Sequence, residues 1–355
     1  MISSAKRALF RKFKAIETRR HELSYLFWEC TTRCNLDCLH CGSDCSKQSN
    51  YRDMPLEDFL TALDTIKNPA KNLMVVITGG EPLLRKDLAI CGREIRKRGI
   101  RWSMVSNGYL YDAEMHNSLL NAGLGALTIS LDGLNESHNW LRNNPRSFDR
   151  VVTAIDLAAN SPRLNFDVVT CVNKRNIFEM HQIKEFLKKH NVKAWRLFTI
   201  IPIGRAPQNE NLLLSDHEFV YLMDFIQESR KNDKDIDVKF SCEGFVGKYE
   251  WKVRDSFYFC RAGINIGSVL IDGSISACPN IDRSFSQGNI YVDNLSDVWE
   301  QKFQPFRNRS WMRVGQCKEC DKFKDCQGNG FHNWHGDKKN VLVCHNSKID
   351  KVLHE

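Results

Sequence analysis

The sequence predicts an α/β chain: a parallel sheet covered by helices and curled into a barrel or partial barrel, followed by a cysteine-rich C-terminal domain. Three observations carry that prediction. From Tyr25 to about Ile203, short apolar segments alternate with amphipathic ones six times, the pattern of strand–helix repeats whose right-handed crossovers wind a parallel sheet. The residues able to do chemistry fall just after the apolar segments, where the C-terminal ends of barrel strands bring side chains to one shared mouth. Six of the fourteen cysteines lie beyond residue 257.

Residues 1–24 form a basic amphipathic arm. A helix over 4–20 places Leu9, Phe10, Phe13 and Ile16 on one face, expected to pack on the domain with the basic side chains in water. The alternative for this arm is a docking surface for an acidic peptide or an anionic membrane. The barrel spans residues 25–205, with strands at 25–30, 73–78, 100–105, 125–131, 164–172 and 195–201. Helices are expected near 56–67, 86–98, 112–122, 147–159 and 177–190. Residues 206–256 are more polar and read as a connection with a helix near 215–230. The cysteine-rich domain covers 257–355, and Gly273 in Val269–Cys278 marks a tight hairpin that ends on a cysteine.

The stretch Cys34-Asn-Leu-Asp-Cys38-Leu-His40-Cys41 follows the first strand. Three thiolates on one loop can hold three corners of a cubane iron–sulfur cluster, leaving the fourth iron open to a small molecule. A zinc knot is the competing reading, but zinc sites favour paired two-residue spacings and four ligands. Cys30 ends the strand and reads as core, Cys45 as free or supporting the loop, and Cys91 and Cys171 as core. After the second strand comes Gly79-Gly80-Glu81-Pro82, a turn whose glycines permit close backbone approach and whose carboxylate suits a cationic amine.

Composition narrows the class. A 355-residue chain with 42% hydrophobic residues suits a large α/β unit plus a smaller one. No apolar run is long enough for a transmembrane helix, and the first residues lack the apolar stretch of a signal peptide. Fourteen cysteines without such a signal point to metal or redox chemistry in a reducing cytoplasm. The net charge of +8 is concentrated early: residues 1–22 hold seven basic side chains against Glu17 and Glu22. A general nucleic-acid surface is therefore not expected.

The cysteine spacing with His40 before Cys41, and the Gly-Gly-Glu-Pro turn after the second strand, together resemble the radical S-adenosylmethionine (SAM) superfamily. That resemblance implies a partial (β/α)6 TIM-type barrel, a 4Fe-4S cluster on Cys34, Cys38 and Cys41, and SAM chelated at the open iron. It implies SAM contacts at His40, Gly79, Gly80, Glu81, Ser130 and Arg142, with Asp132, Asn173 and Ile201–Ala206 also near the mouth. The order Cys260, Gly273, Cys278, Cys317, Cys320, Cys326, Cys344 resembles the SPASM extension, which holds auxiliary 4Fe-4S clusters. Here the position of its seventh cysteine is Gly330. Cys317, Cys320, Cys326 and Cys344 can complete one cluster; the shorter "twitch" grouping would join Cys260, Cys278, Cys317 and Cys320; Cys242, His332 or His335 can fill a gap; and a zinc ribbon on Cys317 and Cys320 is a further alternative.

The implied activity is reductive cleavage of SAM to a 5′-deoxyadenosyl radical that abstracts hydrogen from a peptide or small protein, giving a crosslink, epimerisation or oxidation. An electron donor such as flavodoxin or ferredoxin is implied. Biosynthesis of a cofactor or tetrapyrrole side chain is the alternative enzyme reading, and a non-catalytic iron–sulfur electron carrier is the alternative outside catalysis.

Overall fold

A computed structural model describes residues 4–67, 70–335 and 339–355. Its frame is one ten-stranded sheet. The strands are β1 (Tyr25–Thr31), β2 (Met74–Gly79), β3 (Arg101–Ser106), β4 (Leu124–Ser130), β5 (Asn165–Val172), β6 (Ala194–Thr199), β7 (Asp237–Phe240), β8 (Ile266–Val269), β9 (Ser274–Ser276) and β10 (Gly288–Asn289). They lie in the order β10-β9-β8-β1-β2-β3-β4-β5-β6-β7. Strands β1 to β7 are parallel, and the sheet does not close, so the barrel is partial. Parallel strands must be covered on both faces, and here they are near-continuous apolar runs such as Val75, Val76 and Ile77 in β2.

The helices are α1 (Ser4–Arg20), α2 (Leu56–Asp64), α3 (Leu88–Lys97), α4 (Ala113–Asn121), α5 (Asn135–Arg142), α6 (Ser147–Ala159), α7 (Met180–Lys189), α8 (Asp216–Asn232), α9 (Leu295–Gln301), α10 (Gln304–Arg307), α11 (Phe323–Cys326) and α12 (His345–Leu353). The six expected barrel strands are present, each within two residues of its expected ends. Two pairings lay outside the sequence reading. Strand β7 extends the sheet beyond β6, and β8 runs parallel to β1, with Tyr25 opposite Ile266 and Trp28 opposite Val269. Cys260 and Cys278 therefore flank a hairpin fused to the barrel's first strand. The β8–β9 hairpin turns at Gly273, whose φ of +82° suits glycine.

Helix α1 overturns one expectation. Leu9, Phe13 and Ile16 are 70%, 39% and 51% exposed, while Lys14 is only 4% exposed. Of the four residues expected to pack, Phe10 does dock, its ring centroid 5.2 Å from that of Phe257, and beside it Lys14 Nζ donates to the Asp325 carbonyl at 2.7 Å. A charged group with an aliphatic stem can be buried when its head finds an acceptor.

Candidate metal centre at the barrel mouth

The loop after β1 is held by the turn after β2. Gly80 N–H donates to Thr31 O and Glu81 N–H to Arg33 O, both at 2.8 Å. A Cβ on Gly79 would fall 2.1 Å from Thr31 O, and one on Gly80 2.2 Å from Arg33 O, so these backbone contacts require glycine. On the loop's far side Cys34 N–H donates to Ser46 O at 2.8 Å. Arg205 closes it from the end of β6, with Nε donating to Cys38 O at 2.8 Å and its backbone N–H to Cys41 O at 3.1 Å.

Cys34, Cys38 and Cys45 are buried together with Leu36, and Cys41 and Tyr109 pack against them. Each sulfur of the three-cysteine motif receives at least one N–H donor. Asn107 Nδ2 lies 3.9 Å from Cys34 Sγ, Arg142 Nη1 3.6 Å from Cys38 Sγ, and Cys45 N 3.4 Å from Cys41 Sγ. Such donors favour the thiolate, the form that ligates metal. Burial outweighs these donors and pushes the Cys34 thiol up to about 12. Asn107 also donates to Asn35 Oδ1 at 2.8 Å, tying the end of β3 to the loop. Cys45 acts on the motif through its backbone and thiol, and Cys30 is fully buried in the main core.

Glu81 is fully buried, and its carboxylate accepts from Ser106 Oγ at 2.9 Å, Asn107 N at 2.8 Å and Leu83 N at 3.1 Å. Burial raises its pKa to about 6 despite these donors. Three of its roughly four lone-pair positions are thus taken. Arg142, at the end of α5, is buried and ion-paired with Asp132. Asp132 in turn accepts Cys171 N–H at 2.8 Å. Arg142's carboxylate partner is therefore within the chain. His40 comes within the same group: one ligand atom each from His40, Asp132 and Cys171 lie within 4.8 Å of one another. Its Nδ1 is buried without a partner, and burial lowers its pKa to about 4. Ser130 ends β4 at the mouth, and among the described residues its hydroxyl makes no hydrogen bond.

The late cysteines fall into two groups. Burial, with Cys344, Cys317 and Cys320 adding to it, pushes the Cys326 thiol up to about 12. Burial, with Cys344 and Cys320 adding, raises Cys317 to about 11. These four thiols share one neighbourhood on α11, the turns before it and the start of α12. Cys278 is likewise raised to about 12 by burial, with Cys242 and Cys260 beside it. Cys242 belongs with that pair although nothing in its local sequence marks it. A Cβ at Gly330 would lie 2.4 Å from His332 Cε1 and 2.8 Å from Glu243 O. An imidazole thus fills the space that a side chain at 330 would need.

Comparisons with known proteins bear on this arrangement. The sequence profile of the radical SAM superfamily matches residues 28–187, and that of SPASM, an iron–sulfur cluster-binding domain, matches residues 260–321. The AdoMet-dependent heme synthase of Methanosarcina barkeri is 26% identical over 319 residues, covering 85% of this chain and 89% of its own. The mycofactocin maturase MftC of Mycolicibacterium smegmatis is 25% identical over 309 residues, covering 85% and 76%. A probable GTP 3′,8-cyclase of Saccharolobus islandicus is 32% identical over 253 residues, covering 69% and 79%. The structure of native anSMEcpe with bound AdoMet and Cp18Cys peptide is similar with a TM-score of 0.69 at 21% identity, over 93% of this chain and 95% of that one, which speaks to the fold.

Proposed function

Because this chain belongs to the radical SAM superfamily and carries a SPASM iron–sulfur domain, we propose that it cleaves SAM reductively and uses the radical to modify a peptide or small protein. The observation that carries the proposal is the donor set on Cys34, Cys38 and Cys41: three sulfurs on one loop, each met by an N–H, with no fourth cysteine ligand in the motif. Cys34, Cys38 and Cys41 would hold a 4Fe-4S cluster, which would supply the electron for reductive cleavage of a sulfonium C–S bond.

The chain's own residues position and shield. Gly79 and Gly80 bring the backbone of the β2 turn against the loop, where it can meet the amino group of SAM. Glu81 braces that turn to the end of β3. His40, with its unpartnered Nδ1, and Ser130, at the end of β4, are the further proposed SAM contacts. Arg142 holds Cys38 and neutralises Asp132. Cys317, Cys320, Cys326 and Cys344 are the proposed ligands of one auxiliary cluster, and Cys260, Cys278 and Cys242 the thiols of a second site. Among the described residues no helix is long and apolar enough to cross a membrane. All fourteen cysteines are free, which fits a reducing cytoplasm.

The peptide reading draws support from the likeness to a maturase over 85% of this chain. A second reading, action on an iron porphyrin, is favoured by similarity to heme and Fe-coproporphyrin III synthases over the same share. The test is anaerobic incubation of reconstituted protein with SAM and dithionite. Cys34→Ala, Cys38→Ala and Cys41→Ala should each abolish 5′-deoxyadenosine while retaining auxiliary iron; continued cleavage in all three rejects the proposal. Stimulation of cleavage by candidate peptides or by Fe-coproporphyrin III then separates the two substrate readings.

A further inference from the structure

Between α1 and the C-terminal domain lies an open groove of about 680 Å³. Arg11, Lys14, Arg19, Arg307 and Lys324 line it with His21, and no lining residue is acidic. Counter-charges are few. Arg11 is paired with Asp325 at 2.9 Å and His21 with Glu300 at 2.9 Å. Lys14 has the Asp325 carbonyl for its head group, and among the described residues Arg307 donates to the carbonyls of Gly263, Glu300 and Trp299 and to no carboxylate. Arg19 and Lys324 are exposed and, among the described residues, have no hydrogen bond or ion pair. A concave surface of one sign concentrates the field and draws an oppositely charged partner.

The groove's position says what that partner is for. Lys324 and Gln327 line it and bracket Cys326 in sequence, so its wall is the very segment, α11, that carries a proposed auxiliary ligand. Lys14 is bonded to the residue before that cysteine. Electron transfer needs close approach of donor and acceptor, and here an acidic surface would be seated directly over the cysteine segment.

We propose that this groove is the docking site of a small acidic electron-transfer protein. The inference rests on the reductive reading above, since each SAM cleaved takes up one electron that a donor must first supply. The partner's reduced centre loses that electron, and the sulfonium carbon–sulfur bond gains it, giving methionine and the carbon radical. Arg19 and Lys324 steer and hold the partner without touching SAM or substrate.

The experiment uses the cluster-loaded full chain with flavodoxin as the acidic donor and dithionite as the small one. Arg19→Glu/Lys324→Glu should weaken flavodoxin binding, read by titration at low ionic strength, by about tenfold or more, and the parent's affinity should fall as salt rises. Flavodoxin-driven cleavage should drop with binding while dithionite-driven cleavage and iron content stay at the parent level. Unchanged flavodoxin affinity in the variant overturns the proposal. So does a variant that keeps flavodoxin affinity but loses turnover of a peptide substrate under dithionite, which would assign the groove to substrate. If charge reversal lowers iron content, Arg19→Gln/Lys324→Gln takes its place, with a smaller loss of about threefold expected. A parent that binds flavodoxin through these residues yet never cleaves SAM under dithionite would reject the reductive reading and leave the docking assignment standing.

Discussion

Arg142 Nη1 stands 3.6 Å from the sulfur of Cys38, and the same guanidinium is ion-paired with Asp132. Both charged groups are buried. Burial alone would lower the Arg142 pKa, but Asp132 and Cys38 raise it above its usual value. Removing either partner leaves an uncompensated charge in a dry site. Arg142→Met should therefore cost about 3–5 kcal/mol of stability and lower the iron held at the Cys34–Cys41 loop. Chemical denaturation and iron content check both; a variant with parental stability and iron would show that Asp132 finds another partner.

The turn after β2 gives a second prediction. A methyl group on Gly80 would sit 2.2 Å from Arg33 O, a backbone atom. Gly80→Ala must push the cysteine loop away, with a loss of about 1–3 kcal/mol and of SAM binding. Gly125→Ala serves as control, because a Cβ there meets Trp102 O at an ordinary 3.6 Å. Equal SAM affinity in the two variants would mean that the turn does not position the loop.

Much of this was legible in the sequence, for identifiable reasons. Parallel strands are apolar along their length, so Leu26–Cys30 and Met74–Thr78 stand out without any knowledge of neighbours. The motif loop was legible because its ligands are local. What local pattern does not encode is the partner across the fold. The period of Leu9, Phe10, Phe13 and Ile16 reveals a stripe on α1 but not that Phe257 and Asp325, far along the chain, take only the edge of it marked by Phe10 and Lys14. The pairing of β8 with β1 joins residues some 240 apart. Cys242 lies 18 residues before Cys260 and in no motif, so its place beside Cys260 and Cys278 emerges only in three dimensions. Asn107, one residue past β3, shows its role only through its reach to Cys34 and Asn35.

The two groups of late cysteines predict separable iron losses. Cys326→Ala should remove the iron held with Cys317, Cys320 and Cys344, and Cys242→Ala that held with Cys260 and Cys278. Each loss is up to about four iron atoms per chain, with the other site untouched. Mössbauer spectra and iron counts on the reconstituted variants measure this. If Cys242→Ala retains full iron, the Cys260 and Cys278 site recruits another ligand, and His332, beside Gly330, is the first to replace.

Glu243 offers the clearest dependence on pH. It is buried at the start of the segment after β7, and its carboxylate accepts Thr199 N from both oxygens at 2.8 Å and Thr199 Oγ at 2.7 Å. Burial outweighs these donors and lifts its pKa to about 8. The folded chain thus holds this proton more tightly than the unfolded chain, whose carboxylate titrates near 4.5. The stability linked to that proton is complete below about 4.5 and is lost as pH rises through about 8. Glu243→Gln keeps an acceptor for Thr199 and removes the titration. Its melting temperature should therefore change less between pH 6 and 9 than the parent's, and should exceed it at the alkaline end by a few degrees, about 1 kcal/mol being worth ~2–4 °C in a chain of this size. Parallel melting profiles for the two proteins would mean that Glu243 is already ionised across that range, held by the Thr199 donors against its burial.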